Sequence, residues 1–516
     1  MSDFPWPSVG LRRRTPTWRT SVNVTDGSTS PVPLGDLLAR HSEKDPARPA
    51  VTYNEMTTSY AELDARANRR ARQLETMGVC EGDVVTLAVP NSLEFYEIVF
   101  AVWKLGATPN IVSSRLPVAE LRAIVEIAGP RLIIGEESAR VDGWNFLATG
   151  TKPGTDLSPD PLPTKVASRW KMHTSGGSTG RPKLIVDKQS GLYDPGKARS
   201  IQLAGETMLN PGPLYHNAPF VGSFQSLFAG NHVVEMGRFD PLRALELIER
   251  HKINVVSFVP TMMNRIWRLP AEQRGSFDLS SLRLVIHLAS ICPAWLKQAW
   301  IDWLGPDRIF EIYGGSELFG GTAITGREWL SHKGSVGKVR PGAQMRILDE
   351  QGKECAPGEI GEIYFLPDTG PNSTYEYIGA QAKTMDGWQT YGDLGHVDEE
   401  GYLYIADRRT DMIVSGGANI FPAEVEAALD QHPNVLSSIV IGLPDADLGQ
   451  RVHAIVQMGE NADERSDADV MREFLSDKLV RYKIPRTFEF TSENLRDDAG
   501  KARRSQLREE RIASAS

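Results

Sequence analysis

His-Thr-Ser-Gly-Gly-Ser-Thr-Gly-Arg-Pro-Lys-Leu-Ile, residues 173–185, is the stretch from which the fold of this chain can be predicted. Its three glycines let the backbone turn tightly and bring N–H groups close to an anion. Hydroxyl and ammonium donors stand between and beside them. The pattern predicts a phosphate-binding loop. Its members are Thr174, Ser175, Gly176, Gly177, Ser178, Thr179, Gly180 and Lys183.

Two alternatives exist for such a loop. A Walker loop requires Gly-Lys-Ser/Thr at its end, whereas here Gly180 is followed by Arg-Pro and only then by Lys183. A flexible Ser/Gly linker is the plain alternative. The segments on either side favour the phosphate site because they predict a sheet that presents such loops.

The segments before the loop alternate between predicted helices and strands. Ser59 and Glu62 form a capping-box pattern before a helix that Gly78 ends. An apolar run, 84–89, and an amphipathic segment, 92–105, follow. This alternation predicts a parallel sheet covered on both faces, with ligands beyond the carboxyl ends of its strands.

A Pro-rich stretch, 143–164, is predicted to be a loop that leads into the phosphate-binding segment. The alternation resumes after that segment, and the spacing predicts helices over 294–304, 422–429 and 468–479.

The pattern changes twice along the second half of the chain. From about residue 334 to 406, short alternating segments with Gly and Pro predict a small antiparallel subdomain. Residues 407–411 are charged and predict a domain junction. We therefore expect a large α/β N-terminal domain, made of two parallel halves and the β subdomain, and a smaller α+β C-terminal domain. The expected boundaries are an irregular arm over 1–32, the N-terminal domain over 33–408 and the C-terminal domain over 409–516.

Composition narrows the class of protein. The 516 residues are 24% charged and 41% hydrophobic, and the net charge of −9 offers no broad attraction to nucleic acid. No apolar run approaches the ~18 residues of a membrane span. The cysteines, at 80, 292 and 355, have neither metal-ligand nor disulfide spacing. We expect a cytoplasmic protein without nucleic-acid partners or integral membrane association.

Three more polar clusters carry candidate chemistry. Tyr-Gly-Gly-Ser-Glu, 313–317, places the carboxylate of Glu317 at a strand end, where it could hold Mg²⁺. Asp393 could accept both hydroxyls of a ribose, and Arg408 follows as a donor. Lys501 follows Gly500 near the end of the chain. Each cluster alone could equally be a turn or a solvated side chain.

Taken together and in this order, the segments closely resemble the adenylate-forming superfamily over about residues 35–510. Two details resemble a free-standing acyl-CoA synthetase, namely the form of segment 416–426 and the end of the chain soon after Lys501. The branch most similar contains bacterial fatty-acid, steroid and bile-acid CoA ligases. The motifs that carry the resemblance are residues 173–185, 213–217, 313–317, 391–395 with 401–408, 416–426, and 481–485 with 500–501.

The resemblance implies that a carboxylic acid attacks the α-phosphate of ATP, releasing pyrophosphate, and that the acyl-adenylate is then transferred to CoA. ATP, Mg²⁺ and CoA are the implied cofactors, and Glu317 the implied metal ligand. The implied catalytic residues are Lys501, Thr179, Glu317 and His216. The implied cofactor-binding residues, besides the loop, are Tyr313, Gly314, Ser316, Asp393, Arg408, Gly416, Gly417 and Lys501.

The same resemblance implies a hinge at Thr410. Rotation there would withdraw Lys501 and bring Gly416 and Gly417 beside the pantetheine of CoA. Arg481 and Lys483 are candidate contacts to the phosphates of CoA, although exposed basic residues are usually only solvated.

The sequence departs from the family pattern at the phosphate loop, at residue 316, at residue 391 and just before Lys501. Gly176 stands where a Ser is common, and Ser316 replaces a usual Thr but keeps the hydroxyl. Tyr391 replaces a usual Thr or Ser. Residues 495–499 replace the more usual Leu-Pro-Arg-Thr before Gly-Lys. The last two changes, at Tyr391 and at 495–499, bear on the mobility of the Lys501 loop and on the acceptor.

An acyl pocket is expected between segments 215–224, 259–263 and 286–290. Ordinary packing is the alternative for the histidines, for Tyr391 and for the aromatic residues, Trp295 included. The candidate lining residues are Tyr215, His216, Asn217, Phe220, Phe224, Thr261, His287, Leu288 and Ala289.

The leading hypothesis is an ATP-dependent ligase that joins CoA to an aromatic, steroidal or medium-to-long acyl acid, as a monomer or homodimer. One alternative is an adenylating enzyme with an amine or carrier protein as acceptor, or with an unusual acid such as nitrite. The other is a non-catalytic nucleotide-binding relative.

Overall fold

The structure is a computed structural model that describes residues 30–176, 182–196, 201, 203–459, 468–497 and 500–515. Within this part of the chain the largest sheet has nine strands, of which six neighbours run parallel. In spatial order they are Lys338–Val339, Gly321–Thr325, Ile309–Gly314, Leu284–His287, Val255–Phe258, Thr207–Asn210, His232–Glu235, Pro49–Tyr53 and Met56–Ser59.

A second sheet of seven described strands carries the predicted phosphate loop. Its strands are fully buried over much of their length, as expected where helices cover both faces. The loop joins its second and third strands, which are antiparallel. In spatial order the strands are Tyr375–Ile378, Pro182–Asp187, Met172–Gly176, Thr108–Ile111, Val84–Ala88, Leu132–Gly135 and Phe146–Ala148.

Helices cover these sheets, and several begin where the sequence predicts. The capping box at Ser59 is present, and the helix it starts ends shortly before Gly78, whose φ is 86°. The described helices are Leu37–Lys44, Tyr60–Thr76, Leu93–Lys104, Val118–Ala128, Asn217–Phe228, Pro241–Arg250, Pro260–Trp267, Ala271–Gly275, Ala294–Leu304, Gly326–Ser331, Pro422–Leu429, Ala468–Ser476 and Arg504–Ala515. Single 3₁₀ turns are Leu34–Asp36, Glu137–Ala139 and Arg481–Lys483.

The predicted β-rich segment forms an antiparallel sheet. Its strands are Ala343–Leu348, Gly361–Pro367, Trp388–Val397 and Thr384–Met385, with Leu403–Arg408 beside the third. This last strand corrects the prediction that a charged break begins at Asp407. Asp407 is buried and accepts a hydrogen bond from the Ala423 N–H (2.8 Å), so a charged residue here remains inside a strand.

Two smaller differences also have a physical cause. The stretch predicted as loop between residues 143 and 164 contains the edge strand Phe146–Ala148, because those residues pair in parallel with Leu132–Gly135. The helix predicted to reach Leu479 ends at Ser476, and Lys478 and Leu479 donate their backbone N–H groups to the carbonyl of Leu475.

The C-terminal part is built on a three-stranded sheet of Val435–Asp445, Gly449–Met458 and Thr487–Thr491. A hairpin of Ile413–Ser415 and Ala418–Ile420 packs against it. Its apolar core is separate from the others and includes Val425, Val440 and Met471. The predicted fold class, a large α/β part with a smaller α+β part, is confirmed. Within the described residues no helix is long and apolar enough to cross a bilayer.

Candidate functional site

The predicted phosphate loop is the tip of a β-hairpin. Its residues Gly177, Ser178, Thr179 and Gly180 lie outside the described residues, and of Ser175 and Gly176 only the backbone is described. At the base, Lys171 and Asp187 form a buried cross-strand ion pair (Nζ to Oδ2, 3.2 Å). This pair was not predicted from the sequence, although the two charged residues at the outer ends of the paired strands were a visible signal.

Lys183 leads from this loop toward the neighbouring sheet edge. Its Nζ lies 3.9 Å from the centroid of the Tyr377 ring, a cation–π contact. Burial lowers the pKa of Lys183, the carboxylate of Glu317 opposes that shift, and Arg408 adds to it. The three charged side chains therefore share one region.

Glu317 sits in the loop that follows the strand Ile309–Gly314 and is buried. The Tyr377 hydroxyl donates to its Oε1 at 2.5 Å, and the Thr374 hydroxyl donates to its backbone carbonyl at 2.8 Å. The carboxylate is therefore oriented rather than free to rotate. Ser316, beside it, is partly buried and Gly314 is exposed.

Asp393 and Tyr313 come together from two different sheets. The Tyr313 hydroxyl donates to Asp393 Oδ2 at 2.7 Å, and Arg408 Nε lies 3.6 Å from Oδ1. Burial raises the pKa of Asp393, while Arg408 and the Tyr313 hydrogen bond counteract it. The Arg408 side chain is 67% exposed, so its guanidinium can reach a ligand in the cleft.

Tyr391, whose role the sequence left open, packs. Its ring stacks on Phe319 with centroids 4.0 Å apart, and its hydroxyl donates to the Gly320 carbonyl at 2.9 Å. Tyr391 and Phe319 both belong to the core cluster beneath the loop that carries Glu317. The tyrosine supports that loop from below.

Lys501 reaches this cleft from the C-terminal part. A turn holds it: its N–H donates to Asp497 Oδ1 at 2.9 Å, and its carbonyl accepts from the Asp497 N–H at 3.0 Å. Gly500, with φ 75°, lies against Thr261, because a Cβ there would come within 2.6 Å of Thr261 Oγ1. A side chain at residue 500 would therefore push the loop out of the cleft.

Lys501 is exposed, but many protein atoms lie near its ammonium group. Desolvation lowers its pKa, Arg408 lowers it further, and Asp497 and Glu317 raise it. Lys501 in turn depresses the pKa of His216 and of His173. Residues from four distant motifs thus meet around one ammonium group.

His216 caps the helix Asn217–Phe228 at the edge of the cleft. Burial, with a contribution from Lys501, lowers its pKa to about 3, so the ring is neutral. Its Nε2 lies 3.9 Å from Asp497 Oδ2 and makes no hydrogen bond among the described residues. The oxygen Oδ1 of Asn217 is likewise buried without a described partner.

The expected pocket aromatics lie deeper than the cleft surface. Phe220 and Phe224 are fully buried, with ring centroids 4.4 Å apart. They belong to a cluster with Phe95, Tyr96, Phe100, Trp103, Trp170 and Phe228. Packing, the alternative left open by the sequence, accounts for both residues in this state.

His287 ends the strand Leu284–His287 and is fully buried. Its Nε2 lies 3.7 Å from Glu311 Oε2, and that carboxylate pairs with the buried Lys297. Two residues later Ala289 has φ 76°, a left-handed conformation that strains a side chain. The sequence analysis missed Glu311 and Lys297, because a charge pair separated by fourteen positions has no local signature.

The remaining predicted residues lie in the C-terminal part. Gly416 and Gly417 form the turn of the hairpin Ile413–Ser415/Ala418–Ile420, both with positive φ. Lys483 Nζ donates to both oxygens of Glu424 (2.8 and 2.6 Å). Leu288 and Tyr215 are partly buried near the cleft residues already described.

The described residues contain no cluster of three or more His, Cys, Asp or Glu side chains that would form a resident metal site. The oriented carboxylate of Glu317 can instead serve as the protein ligand of a cation whose other ligands are phosphates. The cleft therefore combines cations for an anionic group, a single carboxylate, and a Tyr–Asp pair suited to a nucleoside.

Comparisons with known proteins agree with this chemistry. A family model described as AMP-binding enzyme matches residues 38–372, and one described as AMP-binding enzyme C-terminal domain matches residues 424–501. Feruloyl-CoA synthase of Amycolatopsis sp. is 31% identical over 491 residues, covering 92% of this chain and 98% of the relative.

Solved structures extend the likeness to three dimensions. o-Succinylbenzoate CoA synthetase of Bacillus subtilis, in complex with its acyl-adenylate intermediate, superposes with a TM-score of 0.78 at 25% identity, covering 93% of this chain and 98% of the other. The same enzyme in complex with ATP and a magnesium ion gives a TM-score of 0.76 at 26% identity, covering 93% and 100%.

Proposed function

This chain belongs to the AMP-binding enzyme family, and from that premise we propose that it is an AMP-forming acid–CoA ligase. It would activate a carboxylic acid with ATP as an acyl-adenylate, release pyrophosphate, and transfer the acyl group to CoA. The observation that carries the proposal is that Gly500 lies against Thr261, which brings Lys501, from the C-terminal part, close enough to Glu317 and Arg408 for their charges to interact.

In the first half-reaction a carboxylate oxygen forms a bond to the α-phosphorus, and the bond from that phosphorus to the bridging oxygen of pyrophosphate breaks. Two anions must approach each other. At an effective dielectric of ~20, two unit charges ~4 Å apart repel by about 4 kcal/mol. The Lys501 ammonium group between them would remove much of this cost.

The nucleotide would be held by groups that the fold brings together. Asp393 would accept the ribose hydroxyls, Tyr313 would lie against the adenine, and Arg408 would donate to sugar or phosphate. The Tyr313–Asp393 hydrogen bond supports this assignment, since it fixes both groups relative to each other. The phosphates would be bound by Thr174, Lys183 and the loop between them.

Mg²⁺ fits the chemistry of this donor set. Glu317 would be its protein ligand, because Mg²⁺ bound to a nucleotide takes one or two carboxylates and keeps several waters. When bound, the ion supplies charge neutralisation at the departing phosphates. The Tyr377 hydrogen bond orients the carboxylate for that purpose.

In the second half-reaction the thiol sulfur of CoA attacks the acyl carbonyl, and the bond to the AMP oxygen breaks. We place the hinge for the change between half-reactions at Thr410, between an N-terminal domain over 33–408 and a C-terminal domain over 409–516. Thr410 is exposed, and its hydroxyl makes only a long hydrogen bond of 3.3 Å, to Asp411, among the described contacts. Gly416 and Gly417 would then line the pantetheine channel, with Arg481 and Lys483 toward the CoA phosphates.

For the acid we propose an aromatic, steroidal or medium-to-long acyl carboxylate, bound between the segments that hold His216, Thr261 and His287. The named relative acts on a feruloyl acid, which is aromatic. We also propose that the enzyme acts in the cytoplasm, as a monomer or homodimer.

The test is pyrophosphate release over a panel of acids, with and without CoA, together with mass spectrometry of products. We expect acid-dependent release and an acyl-CoA thioester. Release without thioester formation would move the acceptor to an amine or a carrier protein. No release with any acid, alongside binding of ATP, would contradict the proposal and favour a non-catalytic relative.

A further inference from the structure

His173 is a buried polar residue that the nucleotide assignment does not use. It lies on the strand Met172–Gly176, directly before the phosphate loop, and is 2% exposed. Both ring nitrogens are buried and have no hydrogen-bond partner among the described residues. A buried group left unpaired costs about 1 to 3 kcal/mol, so its presence calls for an explanation.

The ring lies at the junction of the cleft and the expected acid pocket. One side meets Phe220 edge to face, with centroids 5.4 Å apart. Lys501 and His216 lie close enough to act on its charge. Thr174 Oγ1 and His216 Nε2 are also buried without a described partner. His173, Thr174 and His216 thus each have a buried polar atom without a hydrogen-bond partner among the described residues.

The charge state limits what His173 can bind. Burial, then Lys171, His216 and Lys501, lower its pKa well below the ordinary value, so the imidazole is neutral. A neutral ring offers one N–H donor and one acceptor. Such a donor can orient a carboxylate without adding a second full positive charge, which would weaken that carboxylate as a nucleophile.

We propose that His173 is a substrate-binding residue whose ring N–H donates a hydrogen bond to the carboxylate of the acid, holding it beside Lys501 for attack on the α-phosphate. The proposal rests on the proposed function and names the group that orients the acid in that site.

The test compares three full-length variants with the wild type. His173→Phe keeps an aromatic ring and removes the donor, and His173→Gln keeps an N–H donor. His251→Phe is the matched control, since His251 also has an unpaired Nε2 but ends the helix Pro241–Arg250 outside the cleft. Acid-dependent pyrophosphate release is measured at varied acid and at varied ATP.

We expect His173→Phe to lower kcat/KM for the acid by about ten- to a hundred-fold, the value of one hydrogen bond to a charged group, with KM for ATP changed by less than about two-fold. His173→Gln should recover most of this loss, and His251→Phe should match the wild type. An unchanged kcat/KM in His173→Phe, or equal losses for acid and ATP in both His173 variants, would overturn the proposal.

A second measurement, made on the wild-type protein, tests the proposal even if the His173→Phe variant fails to fold. In wild-type protein labelled with ¹⁵N-histidine, addition of a turned-over acid should shift one ring N–H signal, identified by its absence in His173→Gln. No shift would overturn the assignment while leaving the ligase function standing. A wild type inactive with every acid would instead overturn the proposed function and this inference with it.

Discussion

Gly315 shows how one small residue makes room for the carboxylate of the site. A Cβ there would lie 2.2 Å from the Tyr391 ring and 2.7 Å from Glu317 Oε2. Tyr391, which departs from the Thr or Ser that the family resemblance predicts, fits because residue 315 has no side chain. Gly315 and Tyr391 therefore fit each other, and this packing explains why a tyrosine is tolerated at residue 391. From the sequence alone, this tyrosine bore on the acceptor and on the mobility of the Lys501 loop.

Lys501 carries the sharpest prediction at the residue scale. Lys501→Ala should lower the rate of adenylate formation by about a thousand-fold, because it removes the cation between two anions, yet leave thioester formation from supplied acyl-adenylate within about three-fold. The two half-reactions are measured separately. Lys333→Ala, at an exposed lysine outside the cleft, is the control. Equal losses in both half-reactions would show that the division of labour is wrong.

At the scale of elements, Glu426 joins three segments of the C-terminal part. It lies on the helix Pro422–Leu429, is buried, and accepts from Arg504 (2.6 and 2.7 Å) and from Arg496 (2.9 Å). Arg496 also donates to the Gly500 carbonyl at 3.3 Å, and Arg504 pairs with Asp411 beside the hinge. The turn that presents Lys501 is therefore fixed to the helix through Glu426.

Glu426→Gln should destabilise the protein by about 3 kcal/mol at pH 7, because two partly buried guanidinium groups lose the buried carboxylate that they share. Burial alone would raise the pKa of Glu426, but Arg504 and Arg496 outweigh it, and the pKa lies below the ordinary value of 4.5. The stabilisation is present above that value and is lost as pH falls through the folded-state pKa.

Urea unfolding at pH 7 and at pH 4 checks this prediction. The difference between wild type and Glu426→Gln should narrow at the lower pH. Glu473→Gln, at an exposed carboxylate for comparison, should stay within about 0.5 kcal/mol of wild type at both values. A difference that does not change with pH would mean that the ion pairs do not stabilise the native state.

At the scale of the whole molecule, Arg268 connects the two parts of the chain. It follows the helix Pro260–Trp267 of the N-terminal part and donates to the carbonyls of Pro433 (2.9 Å) and Asp430 (3.1 Å) in the C-terminal part. With Gly500 seated on Thr261, these bonds favour the arrangement in which Lys501 occupies the cleft.

Arg268→Ala should shift the balance away from that arrangement by roughly ten-fold, the value of two charged hydrogen bonds in part compensated by water. Adenylate formation should slow, while thioester formation from supplied acyl-adenylate should be unchanged or faster. Arg265→Ala, on the same helix with its guanidinium over Phe239, is the matched control. A loss confined to thioester formation would contradict the proposed role.

Local sequence patterns predicted most helices and strands, because these patterns depend on residues that are neighbours in the sequence. The capping box at Ser59, the helices Ala294–Leu304 and Pro422–Leu429, and the antiparallel sheet near residue 361 all followed from spacing and turn residues. The strand through Asp407 did not, since one of the two backbone N–H groups that donate to its carboxylate belongs to Ala423, sixteen positions away.

The sequence by itself determined the fold class, the family resemblance and the residue types of the candidate site, because ordered motifs and their chemistry are written in one dimension. Only the tertiary structure decided which of these residues meet. It brought Lys501 close enough to Glu317, His173 and His216 for their charges to interact, and it assigned Tyr391 and Phe224 to packing. It also showed that the ring nitrogens of His173 have no hydrogen-bond partner among the described residues. Burial and hydrogen-bond satisfaction depend on contacts between distant segments, which no local pattern records.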